Sequence, residues 1–409
     1  MVKIDEIKIK GYKNIESAEL KLGNFNVIIG PNNSGKSNFI QVISFLNYII
    51  NSSIDLIEKS FLQGFFTNIF KEIAPLKQGI FGNSQNKISI SFELIYSNSL
   101  TGRIFKYFLA IEGKPELFQI EYKIKSEKLD VKESKKPGKL INVFNRVDEV
   151  VKYGTDFSKM DVIEKVPPFF SVIRVLKILQ NVKEDYQDAF ISLSEIIKTP
   201  IFYFSYIELL KSEKERINDF NGRIVSFELE QEIINLENSE KWNIFKNAIK
   251  MILDIDEPII YKFQVNSKGK IPEKKQLYFE HQNVYKSLSQ FSDGTVIVIA
   301  FITKLLSSES KLFLIEEPEN SIHPKALVDL FSFIKSFSES KQFIITSHSI
   351  TLINKARIDE IIVSTIKENG LCEFYNVNDQ KDLRNRLKKS RTSFSDELFF
   401  AMDDTKEFE

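Results

Sequence analysis

The stretch at residues 27–40, VIIGPNNSGKSNFI, has the residue types and spacing that bind a nucleoside triphosphate. The glycines let the backbone bend so that its amide groups point at phosphate oxygens, and a helix that begins there turns its positive end to the same oxygens. Lys36 is expected to neutralise the β- and γ-phosphates, and Ser37 to bind Mg²⁺ through its hydroxyl. We predict an ATP site formed by Gly30, Pro31, Asn32, Asn33, Ser34, Gly35, Lys36, Ser37 and Asn38.

A second motif, KLFLIEEPENSIHP at residues 311–324, reads as an apolar strand that ends in two carboxylates. One carboxylate at such a strand end can hold a metal ion, and the next can orient or deprotonate the attacking water. We predict Glu316 on the metal side and Glu317 as the catalytic base or water-orienting residue, acting with Lys36. The alternative is that Glu316 and Glu317 form an exposed acidic turn after the strand. The presence of a phosphate-loop motif far upstream argues against this alternative.

A third motif, FSDGT at residues 291–295, is expected to open a helix whose N-terminus can face a phosphate. Its predicted binding residues are Ser292, Asp293 and Gly294. The β-branched run at residues 296–299 favours a strand instead. The order of the motifs along the chain favours the helix.

The chain has three histidines, and one of them follows a buried strand. In the segment FIITSHS (343–349) a buried strand ends with His348, where its imidazole could contact a γ-phosphate, and we predict a catalytic role for it. A single histidine is usually a satisfied core residue, and this is the interpretation for His281. For His323 the sequence favours neither the functional nor the structural interpretation.

The elements that must position these residues come from two distant parts of the chain. Residues 2–29 read as three short strands, a helix follows Ser37, and residues 87–96 and 104–113 read as a hairpin. From residue 276 strands and helices alternate, which predicts a parallel sheet covered by helices. We predict an α/β fold in which residues 1–113 and 276–409 form one unit, split by a mixed, mainly helical insertion at 114–275.

Composition excludes several classes of protein. The 409 residues carry 56 basic and 56 acidic side chains, so no excess of charge indicates a nucleic-acid or membrane partner. The N-terminus lacks the apolar core of a signal peptide, and the longest apolar runs fall short of the roughly 18 residues of a membrane span. Cys372, the single cysteine, is expected to be a half-buried strand residue. We expect a cytoplasmic protein with no membrane partner.

The ordered set GPNNSGKS, FSDGT, LFLIEEPENSIHP and ITSHS resembles the ABC-type ATPase heads of the SMC/RecF group, and within it the OLD (overcoming lysogenisation defect) family, several members of which serve in anti-phage defence. The resemblance implies a homodimer, or a higher oligomer, that closes around ATP. Residues 30–37 and Glu316 of one subunit would then face Ser292 and Gly294 of the other. It also implies that Glu317 polarises the water and that His348 senses the γ-phosphate.

The chain departs from the family pattern at three places. Neither Gln78 nor Gln85 has the context of the glutamine loop, so that role stays open, and Glu316 stands where many relatives have Asp. OLD nucleases continue into a TOPRIM domain, for which the roughly 60 residues after His348 are too few. The expectation is an ATPase that works as a sensor or assembly platform with a separate nuclease or toxin-like effector, as in the two-gene defence systems Septu and PARIS.

Two other functions are alternatives to a sensor or assembly platform. A RecF-like DNA clamp in DNA repair would use the two basic segments at residues 123–139 and 384–391, although three acidic residues interrupt the first segment. A transporter ATPase would need a membrane partner, and neither the tail EEPENSIHP nor the large insertion is typical of transporter heads.

Overall fold

The structure is a computed structural model of the chain. It describes residues 1–51, 88–115, 120–133, 139–154, 163–178, 184–198, 201–203, 229–264 and 273–380. Among these residues no helix is long and apolar enough to cross a membrane.

The described elements alternate between long antiparallel strands, short buried strands and helices. The strands are β1 (Val2–Tyr12), β2 (Ile15–Lys21), β3 (Phe25–Ile29), β4 (Ile88–Asn98), β5 (Arg103–Pro115), β6 (Ile120–Glu133), β7 (Ile141–Val147), β8 (Val150–Tyr153), β9 (Ile201–Tyr203), β10 (Glu257–Gln264), β11 (Glu273–His281), β12 (Val284–Lys286), β13 (Leu312–Glu316), β14 (Gln342–Ser347), β15 (Ile361–Ile366) and β16 (Cys372–Asn376). The helices are α1 (Lys36–Asn51), α2 (Val172–Ile178), α3 (Glu184–Ile197), α4 (Leu229–Leu236), α5 (Lys241–Leu253), α6 (Asp293–Ser307), α7 (Pro324–Ser336) and α8 (Ile350–Lys355).

One large sheet joins the N-terminal and C-terminal parts of the chain. Its strand order is β8-β7-β6-β5-β4-β1-β2-β16-β15-β3-β14-β13-β9. The pairs from β15 through β3, β14 and β13 to β9 are parallel, whereas β8 to β2 form an antiparallel arm. The predicted α/β fold is confirmed, as are the three N-terminal strands, the β4–β5 hairpin and the alternation of β13, β14 and β15 with helices. Strand β16 follows β15 without a helix and pairs with it in antiparallel orientation.

Helices cover both faces of the parallel part because its strands are apolar on both sides. On β3 the side chain of Ile28 belongs to one core cluster, and Val27 and Ile29 belong to the other. The alternation repeats on β13 and β14, as expected for strands whose successive side chains point to opposite faces. Helix α1 packs in the first cluster, and α4, α5, α6 and α7 pack in the second.

Helix α6 begins where the sequence predicted a helix start, in spite of its β-branched residues. Ser292 is the N-cap, and its hydroxyl accepts a bond from the Thr295 amide. The residues from Val296 to Ile302 are all buried. A helix that is apolar on every side is stabilised by burial, and this packing outweighs the β propensity of valine and isoleucine.

The segment at residues 114–275 contributes strands to both ends of the large sheet. Strand β6 pairs with β5 and continues the large sheet, and β9 pairs with β13 at the other edge. Strands β10, β11 and β12 form a separate three-stranded sheet next to the start of α6. The described part of residues 114–275 contains both helices and strands. The division of the chain into units at 113 and 275 remains a prediction.

Candidate nucleotide-binding site

Three of the predicted motifs follow neighbouring strands of the sheet. Strand β14 lies between β3 and β13, and all three run in parallel. In their register Ser347 is opposite Ile29, and Thr346 is opposite Glu316. Because parallel strands end at the same edge, the phosphate loop, the acidic pair and His348 emerge side by side. In α/β sheets this carboxyl edge is where ligands bind.

The phosphate loop, residues 30–37, needs glycine at both of its defining positions. A Cβ atom at Gly30 would lie 2.3 Å from the carbonyl oxygen of Ser364, a buried residue of β15. Gly35 has a φ of +85°, a conformation that favours glycine. Strand β15 also holds the loop by a hydrogen bond, because the Ser364 hydroxyl donates to the carbonyl oxygen of Ser34.

Lys36 is the first residue of α1 and is only 4% exposed. Its ammonium donates to the carbonyl oxygens of Gly30 at 3.1 Å and Pro31 at 2.8 Å. Burial lowers the pKa of Lys36, and the negative charges of Glu317, Glu319 and Glu316 oppose that shift. Neutral carbonyl acceptors are weaker partners than phosphate oxygens, so an anion can take over these bonds.

A cavity of about 480 Å³ opens beside this loop. It is lined by Asn14, Asn32, Asn33, Ser34, Gly35, Lys36, Ser37, Asn38 and Glu317. Most of the predicted ATP-binding residues therefore surround one space, and Glu317 reaches it from a strand almost 280 residues away in sequence.

Nothing in the sequence places Asn14 or Cys372 beside the phosphate loop, where the structure has both. Asn14, in the turn between β1 and β2, donates to the carbonyl oxygen of Asn33 at 3.1 Å and accepts from the Asn38 amide at 2.7 Å. Cys372 of β16 is buried rather than half-buried, and its side chain lies under Gly35. Burial raises the pKa of the Cys372 thiol to about 11. No spacing pattern relates either residue to the glycine motif.

The carboxylate of Glu317 is held by two side chains. One oxygen lies 3.2 Å from Nε2 of His348, and the other accepts a bond of 2.9 Å from the Asn320 amide. Glu317 has φ 44° and ψ 60°, a left-handed conformation that costs a non-glycine residue about 1 to 3 kcal/mol. Backbone strain that persists at such a position is typical of functional sites.

The motif at residues 292–294 lies apart from the cavity in the same chain. Ser292 and Asp293 are exposed, and neither they nor Gly294 are among the residues that line the cavity. Gly294 instead packs against the loop after β13, where an added Cβ would lie 2.3 Å from the carbonyl oxygen of Ser321. The N-terminus of α6 is therefore coupled to the acidic loop, with Ser292 facing outward.

The donors near the cavity suit Mg²⁺ when a nucleotide is present. Ser37 supplies a hydroxyl and Glu316 a carboxylate, and both are half-buried. Among the described residues no cluster of three or more acidic, histidine or cysteine side chains could hold a metal on its own. Mg²⁺ is commonly bound by one or two protein oxygens together with phosphates and water, so this donor set fits.

The remaining predicted residues have other roles or lie elsewhere. His281 is half-buried rather than a core residue, and its Nδ1 lies 3.1 Å from the carbonyl oxygen of Asp254. His323 caps α7. Gln78, Gln85 and the basic segment 384–391 lie outside the described residues.

The first basic segment is partly neutralised within the fold. Lys123 and Lys125 pair with Asp148 at 2.8 and 3.0 Å, and Lys128 pairs with Asp130 at 2.8 Å. These three lysines alternate with inward-facing residues of β6. DNA binding by this segment remains a prediction, with less unpaired positive charge than the sequence indicated.

Two characterised proteins resemble this chain in sequence. The Septu protein PtuA of Bacillus mycoides (strain KBAB4) is 28% identical over 141 residues, which are 32% of this chain and 18% of PtuA. The Old nuclease of Escherichia phage P2 is 22% identical over 392 residues, 90% of this chain and 60% of the nuclease. The chain thus spans less than two thirds of the length of either relative.

Solved SMC head domains share the arrangement only loosely. The SMC head domain from Thermotoga maritima covers 91% of this chain, and 98% of that domain is matched, with 12% identity and a TM-score of 0.42. A Smc head domain from Pyrococcus furiosus, solved with the C-terminal domain of ScpA, covers 95% of this chain and is matched over its whole length, with 12% identity and a TM-score of 0.48.

A family model matches most of the chain. It is described as "AAA domain, putative AbiEii toxin, Type IV TA system" and covers residues 25–354, from β3 into α8. The match includes the phosphate loop, α6, the acidic pair and His348. The similarity to PtuA and to the Old nuclease confirms the resemblance to OLD-like ATPases. The chain belongs to the AAA_21 family of ATPase domains.

Proposed function

We propose that the chain binds ATP with Mg²⁺ in the cavity beside the phosphate loop and hydrolyses it to ADP and phosphate. The observation that carries this proposal is the position of Glu317, which lines the cavity and contacts His348 at 3.2 Å. An acidic residue held against a histidine, next to a glycine loop and a buried lysine, can orient a water and stabilise phosphate charge, as phosphoryl transfer to water needs.

In the proposed reaction the oxygen of a water attacks the γ-phosphorus, and the bond from that phosphorus to the β,γ-bridging oxygen breaks. The carboxylate of Glu317 accepts the proton that the water loses, and His348 and Asn320 keep that carboxylate in place. Lys36 exchanges its carbonyl partners for phosphate oxygens. Mg²⁺, held by Ser37 and Glu316, would neutralise charge on the β- and γ-phosphates.

We further propose that two copies close around ATP, with residues 292–294 of one facing the phosphate loop of the other. The outward position of Ser292 supports this arrangement, because within its own chain the N-terminus of α6 does not reach the cavity. A second helix N-terminus would supply donors that one loop cannot provide. ATP then stabilises the closed dimer by its higher affinity for that state.

Mixing two inactive variants tests this arrangement. Lys36→Ala removes the phosphate-loop lysine, and Ser292→Arg blocks the N-terminus of α6; each protein alone should be inactive. If the motif acts in trans, a mixed dimer contains one intact site, so ATPase activity should return on mixing. Ser289→Arg, at another exposed serine just upstream, is the control and should stay active alone. Absence of activity at every mixing ratio would contradict action in trans.

The proposed biological role is that of a sensor or assembly platform for a separate effector, in anti-phage defence. The similarity to the Septu protein PtuA and to the Old nuclease supports this role. The test is to purify the Glu317→Gln and Lys36→Ala proteins with the gene products encoded beside them. An effector that joins only the ATP-holding Glu317→Gln protein is expected; equal recovery with both variants would contradict an ATP-gated platform.

A further inference from the structure

A third glutamate, Glu319, connects the acidic loop to the loop that carries His348. Glu319 lies in the 3₁₀ turn Pro318–Asn320, directly after Glu317 and Pro318. One oxygen of its carboxylate accepts the Ser347 hydroxyl at 2.9 Å and also the backbone amide of His348. The Ser347 oxygen in turn accepts the amide of Ser349 at 2.9 Å. One carboxylate oxygen therefore fixes the beginning of the His348 loop.

The turn Pro318–Asn320 also fixes Glu317, the residue that the His348 imidazole contacts. The backbone amide of Glu317 donates to the carbonyl oxygen of Thr346 at 3.0 Å, and the Asn320 side chain holds the Glu317 carboxylate. Glu317 keeps its strained left-handed conformation between these contacts. Glu319 is the one side chain among the described residues of this turn that binds the main chain of His348.

Glu319 is half-buried, and the burial of one of its oxygens indicates that its position is needed. Its second oxygen is buried, with no hydrogen-bond partner among the residues that the structure describes. A buried polar atom without a partner costs free energy, and such atoms are rare in native proteins. This cost is offset if the other oxygen of Glu319 has to hold two donors at once.

We propose that Glu319 is a positioning residue for ATP hydrolysis. By binding Ser347 and the main chain of His348, it holds the imidazole against Glu317, and Glu317 is thereby oriented toward the attacking water. This inference rests on the proposed ATPase function. A displacement of about 1 Å in such a pair lowers a rate by about 100-fold. Substrate affinity should change little, because Glu319 does not line the cavity.

Three substitutions separate positioning from an action of the charge. Glu319→Asp keeps the charge but is one methylene shorter, so it cannot reach both donors, and kcat should fall about 10- to 100-fold, as for Glu319→Ala. Glu319→Gln keeps the length and one acceptor oxygen, so it should retain most of the activity. The affinity for ATP should stay within about twofold in all three. Retained activity in Glu319→Asp with a large loss in Glu319→Gln would overturn the proposal.

A second measurement does not depend on turnover. The chain has three histidines, so selective labelling gives three imidazole NMR signals, and His348→Gln identifies the relevant one. In the nucleotide-free protein Glu319→Ala and Glu319→Asp should shift the His348 signal, whereas the exposed-site control Glu339→Ala should not. An unmoved His348 signal in Glu319→Ala would overturn the proposal. A parent protein without ATPase activity would contradict the proposed function while this test of positioning still stands.

Discussion

Substitution of Gly30 by alanine should weaken ATP binding without unfolding the protein. The new Cβ would lie 2.3 Å from the Ser364 carbonyl oxygen and 2.7 Å from Oγ of Ser34, whereas Cβ contacts below 3.0 Å essentially never occur. Because Ser364 is a buried residue of β15, the displacement must fall on the phosphate loop. Such overpacking costs about 1 to 3 kcal/mol. If the loop bears this cost on binding ATP, Kd rises about 5- to 150-fold.

Isothermal calorimetry with a non-hydrolysable ATP analogue measures this effect. The matched control is Gly23→Ala, where the nearest atom would be 3.6 Å from the Cβ, an ordinary contact, and where parental affinity is expected. Circular dichroism should show that both variants are folded. Parental affinity in Gly30→Ala would refute the close approach of this loop to β15 and the site geometry built on it.

Three further predictions concern stability and reactivity. Arg146→Met should lower the free energy of unfolding in chemical denaturation by about 3 to 5 kcal/mol, because the buried Glu127 loses its positively charged partner and the carbonyl oxygens of Phe170 and Pro167 lose their donor. Glu317→Gly should be about 1 kcal/mol more stable than Glu317→Gln, since glycine accepts the φ of 44° without strain. The Cys372 thiol should react slowly with a disulfide reagent at pH 8 in the native protein and fully after denaturation. Because burial raises the pKa of this thiol from 9.0 to about 11, the contribution of the neutral thiol to the free energy of unfolding is lost as the pH rises from 9 to 11.

Local patterns were sufficient to predict the elements that carry the chemistry. The glycine spacing before α1 and the apolar runs before Glu316 and His348 each depend on neighbours in sequence, and the structure has the predicted strand and helix at each place. The start of α6 was predicted from the order of the motifs along the chain, against the β propensity of the residues that follow Gly294. Burial of α6 from Val296 onward explains why the helix forms.

Contacts between distant parts of the chain were not predictable in the same way. Cys372 comes to lie under Gly35 because β16 pairs with β2, and nothing in the local sequence of either strand specifies that pairing. Glu319 is indistinguishable from an exposed acidic residue until Ser347 and His348 are placed beside it. The antiparallel arm continues into β6, whose alternating lysines read as a charged segment in the sequence.

The most direct test of the account compares binding and turnover in the Glu317→Gln protein. With Mg²⁺ present, its Kd for ATP should stay within about threefold of the parent, whereas kcat should fall by about 100-fold or more, because the amide cannot accept the proton of the attacking water. Hydrolysis at the parental rate would show that the carboxylate beside His348 is not the base, and would contradict the proposed site.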